Sequence, residues 1–532
     1  MSQQLTRRQM LKLTGFTSAA LALAACAPGG APAPAQSEGG EAPAGATRTV
    51  SISHIGGGSL EASESSPRMQ LLRASFPDVE IENQWVSYAG YLEKIPLAVA
   101  SGDIADLQFC NAFNDVPLMM EADILLATDA LLESHGQAIV AATPAEAWES
   151  TIYDGAQYAA AHNIYDLNSW GTIYRKDWLD KLGLAVPTTA EEYQEVLRAF
   201  SKDDPDGNGA ADTYGRLLYH TIRFDDDIFH AYGVGVGHHM NGFWQTRDGQ
   251  IVLDWVQPQM KDALAWMRSM WEEGLFDPES ITIPLGQHLS KFEASVAGNG
   301  YASWTGVDGT VRALQSVVPT AEVVAGPAVE GPGGSGFTGE GWPWCYVLSK
   351  NAPFPEDAMS IVNWLFTPEI AAQTICEGVL DITNKGLNEQ GWCMEFTPAE
   401  KEEMGDQWTE LTNSVQDINV YGGLWSPTGQ VDSLFNTFPE DMKAHFDEII
   451  ANKYSPMALE MRTYTQEGLR LTEKKKPVPS DKELWPAIQI RFGEFISQAV
   501  AGTIDLDQGW DEWLAFWESN GGPTLTEQVN AG

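Results

Sequence analysis

The most chemically specific stretch of this sequence is an acidic loop, Asp204-Pro-Asp206-Gly-Asn208-Gly-Ala210-Ala-Asp212. Oxygen-bearing side chains recur there at alternate positions, and glycine allows the sharp turn by which a short loop wraps a hard cation. The side chains at those positions are Asp204, Asp206, Asn208 and Asp212, a set that suits a hard cation. A calcium loop of the helix–loop–helix kind carries Glu at its twelfth position, where this chain has Gly215, so the set is short of one carboxylate. Other metal signals are weak. Asp225-Asp226-Asp227 reads as a solvated turn, His238 and His239 cannot face one way on a strand, and no Cys/His spacing suggests zinc.

A helix must hold that loop. Thr189 and Glu192 make a capping box, and Tyr193, Val196, Leu197 and Phe200 recur as one buried stripe. Before it, Gly171–Tyr174 reads as a strand leading into a short helix with Trp178, Leu179 and Leu182 on one face and Gly183 as its left-handed stop. Near the start, Thr49–Ile55 and Val79–Val86 alternate as strands, and Tyr88–Ala100 reads as a helix. Strand, helix, strand at this spacing predicts a parallel sheet with right-handed crossovers. Ligands gather at the carboxyl ends of such strands, which nominates Gly57, Ser59, Asn111 and Asn114 as rim positions. Gly56-Gly57-Gly58 is not a phosphate loop, because no Lys-Ser/Thr follows it. Pro258–Gly274 is a helix whose Met260, Leu264, Met267 and Trp271 form a core stripe.

The formal charge is −42 over 532 residues, and more negative once the basic leader is removed. So acidic a surface repels phosphate backbones and argues against nucleic acid. Thr6-Arg7-Arg8-Gln9-Met10-Leu11-Lys12 reads as a twin-arginine export motif, and the apolar run from Leu13 to Ala25 is too short to span a bilayer. It ends in Leu23-Ala24-Ala25-Cys26, which resembles a bacterial lipobox with Cys26 as the lipidated residue. Residues 27–47, mainly Ala, Pro, Gly, Ser and Glu, serve as a disordered tether. The remaining cysteines are Cys110, Cys345, Cys376 and Cys393; separate buried thiols are expected, with Cys376–Cys393 the pair to test.

The stretch GTIYRKDWLDKLGLAVPTTAEEY resembles the signature of extracellular solute-binding proteins of bacterial ABC importers, family 1. Ala100-Ser101-Gly102-Asp103-Ile104-Ala105-Asp106, Phe292–Gly306, PEDAMSIVNWLFTPE and the closing Gly502–Phe516 segment resemble further family steps in the family's order. The acidic loop resembles the calcium loop of the oligosaccharide-binding members, which implies a structural Ca2+ held by Asp204, Asp206, Asn208, Ala210, Asp212 and Thr213. The resemblance implies an α/β, two-lobed periplasmic-binding-protein fold, each lobe a mainly parallel sheet flanked by helices, joined by a hinge. Its expected division is a leader over 1–25, a tether over 26–47, lobe 1 over 48–165, lobe 2 over 166–300, a return to lobe 1 over 301–375 and the remainder of lobe 2 over 376–532. It also makes Trp304 a stacking residue and places Asp381 at the cleft, while Trp170 is either hinge packing or a sugar platform.

Nineteen Trp and fifteen Tyr are many for a chain without a catalytic signature. Flat apolar rings match the C–H faces of pyranose sugars, while carboxylates and amides take the hydroxyls. Most of these rings are assigned to packing; Trp85, Tyr88, Trp170, Trp304, Trp342 and Trp344 are the ligand candidates. The expected function is a lipid-anchored, monomeric substrate-binding protein, held at the outer face of the cytoplasmic membrane through Cys26. It would deliver a sugar or oligosaccharide to ABC transporter permease subunits and is not an enzyme. The alternatives are an exported glycosidase or lyase, for which no carboxylate pair stands out, and a sensor subunit for a membrane kinase.

Overall fold

The computed structural model describes residues 48–532 except 57–59, 66, 113–114, 144–147, 154, 164–169, 219–224, 238–241, 284–286, 305, 339–343, 368–369, 371–383, 388–392, 396, 406–453, 475–477 and 532. Nine strands build its two main sheets: β1 (Arg48–Gly56), β2 (Val79–Ser87), β3 (Leu107–Asn111), β4 (Ala159–Asn163), β5 (Trp170–Arg175), β6 (Tyr214–Arg216), β7 (Ala297–Ser303), β8 (Val323–Gly326) and β9 (Trp344–Leu348). The first sheet has the order β2-β1-β3-β9-β4 and the second the order β8-β5-β7-β6.

One strand in each sheet runs against the others. β1 is parallel to β2 and β3, while β9 is antiparallel to both β3 and β4. In the second sheet β7 and β6 are parallel, and β5 is antiparallel to β7 and β8. The two reversed strands are those that follow a change of sheet, β5 after β4 and β9 after β8. Their first residues therefore lie beside the last residues of their neighbours: Trp344 pairs with Asn111 and Asn163, and Trp170 with Ser303. Each sheet thus presents, at one end, the carboxyl ends of its parallel strands together with a tryptophan. The return to the first lobe was expected from residue 301. The pairing of β8 with β5 instead keeps residues 323–326 in the second sheet, and the chain rejoins the first at Trp344.

The helices named here are α1 (Tyr88–Ser101), α2 (Asp115–Glu121), α3 (Lys176–Leu182), α4 (Ala190–Lys202), α5 (Pro258–Glu272), α6 (Pro456–Glu467), α7 (Asp481–Val500) and α8 (Leu506–Ser519). Successive side chains of a strand point to opposite faces, and the second sheet uses both. Ile173 faces a core shared with Val50, Ile52, Leu107, Phe109 and Val347, and Tyr174 faces a core built on Tyr193, Leu197, Phe200, Trp255 and Trp513. Trp255 stacks on Phe492 of α7 at 4.1 Å, and Trp513 of α8 donates its indole N–H to the Trp255 carbonyl. Seven tryptophans (Trp178, Trp244, Trp255, Trp485, Trp510, Trp513 and Trp517) are consumed by that second core, so packing accounts for much of the aromatic content. Ser480, which precedes α7, makes no side-chain cap; its hydroxyl accepts a hydrogen bond from Gln528. Gly171 lets α6 approach β5, because a Cβ there would lie 2.8 Å from Met461 and Thr465.

Candidate functional site

At the sheet end of the first lobe, Trp344 is buried rather than presented. Its ring stacks on Phe109 at 5.3 Å and tilts against Tyr91 of α1 at 5.5 Å. Asn111 is also buried, and its backbone N–H donates to the Tyr91 hydroxyl (2.9 Å) and to Asp115 Oδ2 (2.7 Å). The Tyr91 hydroxyl donates to the same carboxyl oxygen. Burial pushes the Asp115 pKa up to about 7, against the lowering effect of the Asn111 N–H. Trp85, opposite His54 in the β1–β2 register, is half-buried with its indole Nε1 enclosed and unpartnered. His54 Nδ1 and Asn83 Oδ1 are likewise unpartnered, while His54 Nε2 and Asn83 Nδ2 both reach Ser63 Oγ. Burial lowers the His54 pKa to about 4, with Glu64 opposing, so the ring is neutral at neutral pH.

The second sheet end is built differently. Trp170 is half-buried, lies 5.9 Å from Tyr301 in a stacked arrangement and 5.3 Å from His288. Desolvation, helped by the Arg216 charge, lowers the His288 pKa to about 3 although a hydrogen bond with the Tyr301 backbone opposes this, so His288 is a neutral ring. Beneath them the Arg216 guanidinium sits 5.6 Å from the Tyr301 ring centre. Arg216 is fully buried and pairs with Asp225 at 2.6 Å and Asp227 at 2.7 Å. Thr172 of β5 donates to Asp227, and Tyr193 of α4 accepts from Arg216. The middle acid, Asp226, accepts from the Gly237 N–H and the Thr338 hydroxyl. The three acids expected on a solvated turn are therefore buried. The cause is Arg216, whose charge compensates two of them from a strand nine residues upstream of the first.

Trp304, expected to stack on ligand, is only 4% exposed. Its ring packs edge-on against Tyr454 at 4.9 Å, with the Arg462 guanidinium of α6 over it at 5.1 Å. It belongs to the core, because the residue after β7 turns under α6 instead of continuing the sheet end. Gly57, Ser59, Asn114, Trp342, Asp381 and Cys26 lie outside the described residues, and Tyr88 is described only as the first residue of α1. The structure thus brings Trp85, Asn111 and Trp344 to one sheet end and Trp170 to the other. His288 and Tyr301, which join Trp170, were not nominated from sequence; Tyr301 carried a signal, two residues before the strand's end in AGNGYAS.

The acidic loop follows α4 as its pattern predicts. The capping box of Thr189 and Glu192 is formed, and Tyr193, Val196, Leu197 and Phe200 are buried. Left-handed backbone at Asp204, Gly207 and Gly209 curls the loop. The Asp204 carboxylate accepts from the N–H groups of Gly207 (3.0 Å) and Gly209 (3.1 Å). Asn208 Nδ2 donates to Asp206 at 2.9 Å and to Asp212 at 3.1 Å, drawing both carboxylates toward one point. Lys181 of α3 donates to the carbonyls of Asp204 and Pro205. Desolvation raises the Asp204 pKa, but hydrogen bonds with Asp206, Gly209 and Gly207 and the Lys181 charge together hold it below the ordinary value. Thr213 points elsewhere: its hydroxyl is buried and donates to the Phe200 carbonyl at 2.8 Å. Among the described residues no three His, Cys, Asp or Glu side chains are gathered as a metal-holding group. The side chains of Asp204, Asp206, Asn208 and Asp212 are nonetheless all oxygen-bearing, the donor chemistry a hard cation requires.

The profile of bacterial extracellular solute-binding proteins matches residues 60–372. The fructooligosaccharide ABC transporter substrate-binding protein FusA of Streptococcus pneumoniae is 26% identical over 467 residues, covering 82% of this chain and 81% of that protein. Lipoprotein LipO of Bacillus subtilis is 22% identical over 491 residues, covering 88% and 89%. Among solved structures, the alginate-binding protein AlgQ2 without calcium ion superposes with a TM-score of 0.67 at 16% identity, over 91% of this chain and 97% of that one. A FusA EF-hand mutant in complex with fructo-nystose superposes with a TM-score of 0.62 at 18% identity, over 91% and 98%.

Proposed function

The chain belongs to the bacterial extracellular solute-binding protein family, and on that premise we propose that it captures an oligosaccharide between its two lobes and hands it to the permeases of an ABC importer. The observation that carries the carbohydrate reading is the half-buried Trp170 at the end of the second sheet, flanked by Tyr301 and the neutral ring of His288. An aromatic face beside a neutral imidazole complements a sugar ring and its hydroxyls without requiring charge. Closure of the lobes about a hinge would bring the first sheet end, with Trp85 Nε1 and its polar neighbours, to the other side of the ligand. The fructooligosaccharide and alginate ligands of the relatives support the class rather than a particular sugar. Calorimetry against a panel of neutral and acidic oligosaccharides tests this, with product analysis alongside. Saturable binding of an unchanged oligosaccharide is expected; new reducing ends or unsaturated products would favour the enzyme alternative and end this one.

The tether and leader complete the reading. Arg7-Arg8 and Leu23-Ala24-Ala25-Cys26 support export and a lipid on Cys26, and the similar LipO is a lipoprotein. Cys26→Ser is expected to release the protein from membranes, and retention of the variant would remove the anchor claim. The acidic loop would hold a structural Ca2+ through Asp204, Asp206, Asn208 and Asp212, the Asn208 amide turning its oxygen inward. Ligand binding of this kind stabilises by about 2.7 kcal/mol at a hundredfold excess over Kd. Calcium should therefore raise the Tm, and Asp204→Ala with Asp206→Ala should abolish the rise.

A further inference from the structure

The two cysteines that the sequence left apart are opposed in the first sheet. Cys110 of β3 and Cys345 of β9 are directly paired in the antiparallel register, and their Sγ atoms lie 3.9 Å apart although 235 positions separate them in sequence. Both are buried and both are free thiols. Directly opposed residues of antiparallel strands hold their Cβ atoms about 4.5–5.5 Å apart and a disulfide needs about 3.5–4.5 Å, so closing the 3.9 Å gap between the sulfurs takes side-chain rotation and an approach of the two strands by about 1 Å. We propose that Cys110 and Cys345 are a dithiol–disulfide pair, closed outside the cytoplasm by exchange with a disulfide oxidant, which staples together the two strands that carry Asn111 and Trp344.

The step balances without any other reagent. One cysteine thiolate attacks a sulfur of the oxidant's disulfide and expels one thiol. The second cysteine, deprotonated in turn, attacks the resulting mixed disulfide and expels the other, leaving one protein S–S bond and two reduced thiols. Enclosure sets the rate. Burial, and the neighbouring Cys110 thiol, raise the Cys345 pKa well above its ordinary value, so little thiolate exists while the sheet is closed. Exchange therefore proceeds through transient separation of β3 from β9, and the bond once formed is shielded from reductants by the same packing. A crosslink closing so long a loop constrains the unfolded chain strongly, which is the usual origin of disulfide stabilisation. The site lies one residue behind the sheet end and uses no group assigned to ligand binding.

The test equilibrates the full-length protein with oxidised glutathione in mild denaturant, removes both, and maps peptides without reduction. A peptide pair joined through Cys110 and Cys345, two hydrogens lighter than its reduced form, with a Tm several degrees above the reduced protein, is the expected result. Recovery of both cysteines as alkylatable thiols, as glutathione adducts, or bonded to Cys376 or Cys393 would overturn the proposal. So would an equal Tm rise in Cys345→Ser; should that variant not fold, Cys110→Ala serves in its place, and the peptide map of the unaltered chain decides by itself.

Discussion

Each lobe ends its sheet on a tryptophan that begins the reversed strand, yet the two ends are built on different foundations. Trp344 is sealed, stacked on Phe109 and tilted against Tyr91, with the Cys110–Cys345 pair on the opposite face of the same two strands. Trp170 is half-buried and rests, through Tyr301, on a buried guanidinium with its carboxylates. The same topological position therefore yields a packed wall in one lobe and a presented ring in the other. What differs is what each ring packs on: neighbouring rings close over Trp344, whereas an ion network held by Thr172, Tyr193 and Asn299 underlies the Tyr301 ring on which Trp170 lies.

The largest test of that contrast is Arg216→Met. Removing one partner of a buried ion pair leaves uncompensated charge and costs about 3–5 kcal/mol. Asp225 and Asp227 would both be stranded, so urea unfolding should show a loss of that size. A loss no larger than that of an exposed arginine such as Arg198 would mean that the ion network is not what supports the second end.

The local elements were legible in the sequence because their signals are local. The capping box at Thr189, the stripe from Tyr193 to Phe200 and the Gly183 stop each occupy one helix, and each is found as read. The sheet ends were half legible: the carboxyl-end rule located Asn111, and the crossing segment located Trp170. Long-range partners decided the rest. Asp225–Asp227 read as solvated because nothing in three adjacent acids announces that Arg216 will be folded over them. Trp304 read as a platform because nothing near it announces Tyr454 and Arg462. The Cys110–Cys345 pairing depends on a strand that returns from the other lobe, a relation no local pattern encodes.

At the first sheet end, the sharper test is Asp115→Asn. The folded-state pKa of Asp115, raised by burial to about 7 from 3.8, means that the folded protein holds this proton where the unfolded chain has released it. The contribution is thus fully present below the unfolded pKa and is lost as pH rises through the window to about 7, with a limiting slope of about 1.4 kcal/mol per pH unit. An amide oxygen can accept from Tyr91 and the Asn111 N–H as the neutral carboxyl does, without ionising. Melting curves of the two proteins should therefore converge in acid and diverge in favour of Asp115→Asn toward neutral pH. Parallel curves would place the Asp115 proton outside this network.

The smallest effect separates the two kinds of tryptophan by affinity alone. Trp170→Ala removes a ring that is already partly in solvent, so the fold should change little. The oligosaccharide would lose a stacking face worth about 1.4 kcal/mol, which is about a tenfold rise in Kd. Trp304→Ala removes a ring enclosed by Tyr454 and α6, so its cost should fall on unfolding, with the Kd of the folded protein unchanged. Calorimetric titration paired with denaturant unfolding reads both quantities on both variants. If Trp304→Ala instead raised the Kd while Trp170→Ala left it alone, the presented ring would be idle and the ligand would have to meet the second lobe at the end of β7, where this structure has closed the surface over.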